Sequence, residues 1–313
     1  AVAYCKRLAE NLPAPLQTTY LVNSGTEAIE GSIKLAKRAT GRSQIIAARK
    51  AYHGNTQGSL SIMDYELRKQ PFRPLLPDVA WIEFNNEAEL EKITTRTAGV
   101  VLETIQGGAG FITPENDYLA KVKQRCQEVG ALLILDEIQP GFGRTGKLFG
   151  FQNYHVVPDI IAIGKGMASG LPCGAFVASY ELMHLLADKP KMSHITTFGG
   201  NPVVAAASLA TLDELLTTSL MQETLEKEQL FRKLLKHPKI KSVNGKGLML
   251  AAIMESEDLA NHVILYAHQR GYIFFWLLFE LRAVRISPPL TISKEEIEKA
   301  CEMILEAIAH YKG

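Results

Sequence analysis

Apolar and polar positions along this chain follow two rhythms. Short unbroken apolar runs, among them Ile45–Ala48, Val79–Ile82, Ala98–Glu103 and Ala131–Ile138, alternate with stretches whose apolar residues recur every three or four positions. The first kind reads as strands covered on both faces, the second as helices with one buried side. Leu21–Asn23 is a short apolar segment that stops at Ser24-Gly25-Thr26. In the helix predicted after it, Ala28, Ser32, Leu35, Ala36 and Ala39 share one face, while Glu30 and Lys34 are spaced to pair on the other. Asn116–Val129 predicts another helix, and Asp159–Ile163 and Gly174–Ser179 two more strands. Pro202–Leu216 predicts a long helix with Val204, Ala205, Ser208, Leu209, Leu212 and Leu216 inward. This alternation implies an α/β domain around a mainly parallel sheet.

From about Met221 the texture changes to charged helices flanking short strands near Gly247–Met254 and Val284–Ile286. The last helix opens with a capping box, Ser293-x-x-Glu296, and turns Ile297, Cys301, Ile304 and Ile308 inward. The pattern divides the chain into a large domain, 1–220, and a smaller α+β domain, 221–313. No internal repeat or low-complexity segment interrupts it.

Composition narrows the picture. The 313 residues are 47% hydrophobic and 21% charged, ample for a large core. With 34 Lys and Arg against 33 Asp and Glu, the formal charge of +1 gives no reason to expect a nucleic-acid or membrane partner. Cys5, Cys126, Cys173 and Cys301 lie far apart, with no CxxC pair and no His at metal spacing. They read as reduced thiols of a cytoplasmic protein without a metal site. No apolar run reaches the roughly 18 residues of a membrane span. The start, Ala1-Val2-Ala3-Tyr4-Cys5-Lys6, carries no signal-peptide pattern and no initiator Met, so the natural N-terminus is expected upstream.

Three places carry candidate chemistry. Lys165 sits in Ile163-Gly164-Lys165-Gly166, just past a buried strand, where a long cation needs either a use or a path to solvent. Asp136 ends the run Ala131–Leu135. A carboxylate there faces the crevice in which α/β sheets bind ligands, and it calls for a cationic or donor partner. A protonated pyridine nitrogen is one such partner; an ordinary loop salt bridge is the other reading. Asn23-Ser24-Gly25-Thr26-Glu27 offers a helix start with free N–H groups, suited to a phosphate or to a plain cap. Gly141-Phe142-Gly143-Arg144-Thr145-Gly146 matches a dinucleotide fingerprint in letters only, because the aromatic, glycine-rich Lys147–Phe151 follows instead of a helix.

Taken together, seven segments in order resemble the class III aminotransferases, a branch of the fold-type I pyridoxal-phosphate (PLP) enzymes. They are Ser24–Ala28, Tyr52-His53-Gly54, Glu103–Gly107, Asp136–Gly146, Pro158–Gly166, Thr196–Pro202 and Arg285–Leu290, with Asp136 and Lys165 separated by 29 positions. The resemblance covers nearly the whole chain. It implies the PLP-dependent transferase fold, with a large cofactor domain and a smaller C-terminal one. It also implies transfer of an amino group from an amino-acid or amine donor to a 2-oxo acid by a ping-pong, Schiff-base route. Lys165 then matches the Schiff-base lysine and Asp136 the partner of the pyridinium nitrogen. Gln139 matches a contact to the phenolic oxygen, Tyr52 and Ile138 the two ring faces, and Glu103 a carboxylate near the ring. His53 belongs to the same cofactor set, and Gly25 and Thr26 to the phosphate. Thr197 matches a residue that reaches the neighbouring subunit's phosphate, implying a homodimer with shared sites.

Departures from the family pattern bear on the substrate. The chain is shorter than its relatives at the N-terminus. Ornithine- and 4-aminobutyrate-type relatives carry Glu at the position of Gly108, where it masks an arginine matching Arg285, and Arg at the position of Asn55. Arg285 is therefore expected to stand unmasked and to bind the substrate's α-carboxylate, while the second clamp is lost or supplied elsewhere. Ornithine, acetylornithine, lysine, 4-aminobutyrate and simple amines all remain open as donors. A class III decarboxylase or aminomutase and a catalytically silent binding protein are the rival readings.

Overall fold

The computed structural model describes residues 1–188 and 190–312. It contains two compact units. The first comprises Ala1–Thr104, Pro114–Phe142 and Phe151–Thr217; the second comprises Ile105–Thr113, Gly143–Gly150 and the chain from Thr218 onward. A single cut at 220/221 therefore leaves out two short excursions, 105–113 and 143–150, that belong with the second unit.

The first unit is built on a seven-stranded sheet of β1 (Thr18–Val22), β2 (Gln44–Ala48), β3 (Val79–Ile82), β4 (Thr97–Glu103), β5 (Leu132–Asp136), β6 (Ile160–Ile163) and β7 (Gly174–Ala178), in the order β1-β7-β6-β5-β4-β2-β3. Only β7 runs against its neighbours β1 and β6; the other pairs are parallel. Every residue of β4 and β7 is buried, which is why these strands read as continuous apolar runs. The run Ala131–Ile138 outlasts its strand. β5 stops at Asp136 because the N–H of Ile138 turns back onto the Asp136 carboxylate at 3.0 Å, an Asx turn that ends the ladder.

The helix Gly25–Thr40 starts at Ser24, whose hydroxyl accepts from the N–H of Glu27, and ends at Gly41 with φ of 68°. That left-handed conformation is one that glycine adopts without strain. Its expected Glu30–Lys34 pair does not form. Glu30 instead accepts from the Thr56 hydroxyl and the N–H groups of Gly58 and Ser59, and Lys34 donates to His194 Nδ1 at 2.9 Å. Three donors at the start of the short helix Gln57–Ser61 hold a carboxylate better than one solvated lysine. In the helix Pro202–Thr217 the buried stripe is Ala205, Ser208, Leu212 and Leu215; Val204, Leu209 and Leu216 are half-buried at its border.

The second unit has a three-stranded antiparallel sheet, β8 (Ile240–Lys246), β9 (Met249–Met254) and β10 (Ala283–Ile286), ordered β10-β9-β8. The helices Leu220–Leu234, Glu257–His268 and Lys294–Ala309 contribute to a core that includes Phe231, Leu250, Met254, Val263, Val284, Ile297, Cys301, Ile304 and Ile308. The Ser293–Glu296 capping box is present, both hydrogen bonds formed. Among the described residues no single helix is long and apolar enough to cross a membrane.

Candidate active site

The site begins where β4 and β5 end. Glu103 and Asp136 are register partners on these parallel neighbours, so two carboxylates stand side by side at the C-terminal edge of the sheet. Both are buried. The Asp136 Oδ1 accepts from the N–H of Ile138, and Oδ2 lies 2.8 Å from Nδ1 of His53. His53 is itself only 2% exposed. Burial is the largest influence on its imidazole and disfavours the charged form. The hydrogen bond and charge of Asp136, with the charge of Glu103, outweigh burial and raise its pKa above the ordinary value. The second ring nitrogen, Nε2, has no hydrogen-bond partner. Glu103 Oε2 accepts from the N–H of Tyr52 at 3.2 Å. The loop after β2 is thus pinned to the ends of β4 and β5 through both carboxylates.

The start of the helix Gly25–Thr40 packs against the same sheet edge. A Cβ on Gly25 would come within 2.8 Å of Ile138 Cδ1, and one on Gly174 within 2.2 Å of the Ser24 carbonyl oxygen. Only glycine permits this approach of helix start to β5 and β7. The cap engages the N–H groups of Glu27 and Ala28, leaving those of Gly25 and Thr26 to an outside acceptor. The Thr26 hydroxyl lies within hydrogen-bond distance of Thr56 Oγ1, at 2.8 Å, and Ser59 Oγ, at 2.7 Å. The backbone is therefore the freer part of Thr26.

Lys165 follows β6, the neighbour of β5, three residues beyond the register partner of Asp136. It is exposed and opens the short 3-10 turn Lys165–Ala168 with φ of 41°. A left-handed lysine carries strain of about 1 kcal/mol or more, as is common where the fold must aim a side chain. Tyr52 is half-buried and its hydroxyl accepts from Asn55 Nδ2 at 3.2 Å, so Asn55, itself exposed, holds the ring. Ile138 is buried, Gln139 half-buried and Thr197 exposed. Beside Thr197, the Thr196 hydroxyl accepts from Asn23, whose backbone and side chain both donate to Glu27.

Gly108 and Arg285 lie in the second unit. Phe279 occupies the space a side chain at Gly108 would need: a Cβ there would lie 3.0 Å from its ring, and the Phe279 N–H donates to the Gly108 carbonyl at 2.9 Å. Arg285, on β10, donates through Nε to the Ser287 hydroxyl at 3.2 Å, and burial lowers its pKa. No carboxylate lies within ion-pair reach of it among the described residues. Glu137 and Arg144 are two further charged groups to which the motifs assign no role. Glu137 is fully buried and accepts from the Thr104 hydroxyl at 2.6 Å and the Phe151 N–H at 2.7 Å. Its signal was available: strand alternation sends it to the face opposite Asp136.

The donor set of the first unit fits PLP. It offers a buried carboxylate for a pyridinium N–H, a primary amine at the next strand end for an aldehyde, and two helix-start N–H groups for a phosphate.

Comparison with known proteins agrees. The family model described as aminotransferase class-III matches residues 1–308. The chain is 36% identical over 325 aligned positions to a putrescine aminotransferase of Pectobacterium atrosepticum, covering 98% of this chain and 69% of that protein. Its fold matches an ornithine aminotransferase of Toxoplasma gondii with a TM-score of 0.90 at 29% identity, over 98% of this chain and 75% of that one. An aminotransferase of Bacillus anthracis matches with a TM-score of 0.91 at 27% identity, over 99% and 80%. The chain belongs to the class III aminotransferases, PLP-dependent enzymes that carry an amino group from an amino-acid or amine donor to a 2-oxo acid by a ping-pong route.

Proposed function

We propose that Lys165 is the Schiff-base lysine and proton carrier of this aminotransferase and that Asp136 holds the pyridinium nitrogen. The observation that carries this reading is the pairing of a buried carboxylate at the end of β5 with an exposed lysine just past the end of its neighbour β6. When bound, PLP supplies an electron-poor ring that draws charge from the carbon losing its proton. Lys165 Nζ takes that proton and returns it one position away, as a base and then an acid. Asp136 keeps the ring nitrogen protonated, and His53 orients that carboxylate from behind. Gly25 and Thr26 hold the phosphate through their N–H groups. Tyr52 and Ile138 flank the ring, Gln139 meets the phenolic oxygen, and Glu103 fixes the Tyr52 loop.

The same reading makes 1–220, apart from the excursions 105–113 and 143–150, the cofactor domain and 221–313 a smaller one. Thr197 serves the phosphate of a second copy, so the working form is a homodimer, and its setting is the cytoplasm. Arg285 takes the carboxylate of the 2-oxo acid, and of the donor where it has one. The putrescine and ornithine relatives favour a donor with a terminal primary amine.

The test follows the absorbance of PLP-loaded protein through each half-reaction. Protein that bleaches with a terminal amine and recovers with pyruvate supports the reading. Bleaching that persists in Lys165→Ala defeats it. Sedimentation of the loaded enzyme decides the dimer.

A further inference from the structure

Arg144 lies in the excursion Gly143–Gly150 of the second unit. Its Nη1 donates to the carbonyl of Leu248 at 3.3 Å and to that of Pro288, while its own carbonyl accepts from the Leu248 N–H at 2.9 Å. A Cβ on Gly247 would lie 2.3 Å from that carbonyl oxygen, so the contact depends on a glycine at the β8–β9 turn. Pro288 directly follows Ser287, whose hydroxyl accepts from Arg285 Nε. The two guanidinium groups are therefore joined through one dipeptide, Arg144 holding its carbonyl end and Arg285 its hydroxyl.

This arrangement is costly as a purely structural device. Burial, and then the charge of Arg285, lower the pKa of Arg144 to about 10. Neither arginine has a carboxylate within ion-pair reach among the described residues, and Arg144 meets only neutral carbonyls. Two half-buried cations near one another, without a carboxylate in ion-pair reach among the described residues, favour an incoming anion.

We propose that Arg144 is a positioning residue for carboxylate recognition: it fixes Ser287-Pro288, and through them the Arg285 guanidinium, and adds a second positive charge to the field a substrate carboxylate meets. The inference rests on the reading of Arg285 as the carboxylate-binding residue.

The test uses the PLP-loaded enzyme, with acetate as a competitive probe against pyruvate and a carboxylate-free primary amine as the contrasting substrate. Arg144→Met should raise the acetate Ki and the pyruvate KM about tenfold, the loss of a charge-assisted contact, and by more than it raises the amine KM. It should also flatten the dependence of the acetate Ki on ionic strength, which a role confined to packing leaves unchanged. Arg144→Lys should recover the salt dependence and part of the affinity, and Ser287→Ala should weaken acetate several-fold. If Arg285→Lys weakens acetate while Arg144→Met leaves its Ki and salt dependence as in the parent, the inference fails alone. If Arg285→Lys is also without effect, the reading of Arg285 falls and takes the inference with it. Should Arg144→Met not fold, an unaltered acetate Ki in both Arg144→Lys and Ser287→Ala overturns the proposal.

Discussion

Nδ1 of His53 meets Oδ2 of Asp136 at 2.8 Å in a place where neither side chain touches solvent to any extent, and the other ring nitrogen of His53 is left without a partner. The pair has a pH signature. The folded-state pKa of His53 is raised, so the stability it contributes is fully present below the unfolded pKa of about 6.5 and is lost as pH rises through the folded value. Urea unfolding of the PLP-free protein between pH 6 and 9 should show stability falling across that window. His53→Gln should flatten the fall. A slope that survives the substitution places the titration on another group.

Borohydride treatment of PLP-loaded enzyme, followed by peptide mass spectrometry, should find the reduced cofactor on Lys165. Asp136→Ala should weaken PLP at least about tenfold by equilibrium dialysis, because a charge-assisted contact is removed and the His53 donor is stranded. A label on a different lysine would remove Lys165 from the assigned role.

The close approach of the helix start to the sheet predicts an order of damage. A methyl group on Gly174 meets the backbone oxygen of Ser24 at 2.2 Å, which cannot swing away, whereas one on Gly25 meets the flexible end of Ile138. Gly174→Ala should therefore lower thermal stability more than Gly25→Ala, the overpacking cost being about 1–3 kcal/mol or more for the former. Equal melting temperatures would mean that the helix start can slide.

Burial pushes the thiols of Cys126 and Cys301 up to about 12 and that of Cys173 to about 11. Since the thiolate is the reactive form, these three should resist iodoacetamide at pH 8 in the folded protein and react only on denaturation. Rapid modification of Cys173 in the native state would mean that the segment after β6 opens.

Much of the first unit was legible because strands buried on both faces leave unbroken apolar runs, as at Ile45–Ala48 and Ala98–Glu103, with bounds within a residue of those observed. The proposed cofactor set could be singled out because it lies at strand ends, where an out-of-place Asp136 or Lys165 breaks such a run. Local signals cannot show which distant group a side chain will choose. Glu30 looked like half of a helical ion pair and became a clamp on the start of another helix. Arg144 sat inside a glycine-rich motif that drew notice for its glycines, while its partners, Leu248 and Pro288, lie over a hundred positions away.

Glu103 and Asp136 face one another because β4 and β5 are in a fixed register, and that makes chain length a determinant of the chemistry. Side chains alternate faces along a strand, so one residue inserted between Leu132 and Leu135 would carry Asp136 to the far side of the sheet, away from His53. The connection between Glu103 and Leu132 contains a whole helix and is free of that constraint. Lineages descending from this protein can therefore lengthen or shorten the connections between these strands without moving the two carboxylates. Insertions and deletions inside β5 are closed to them.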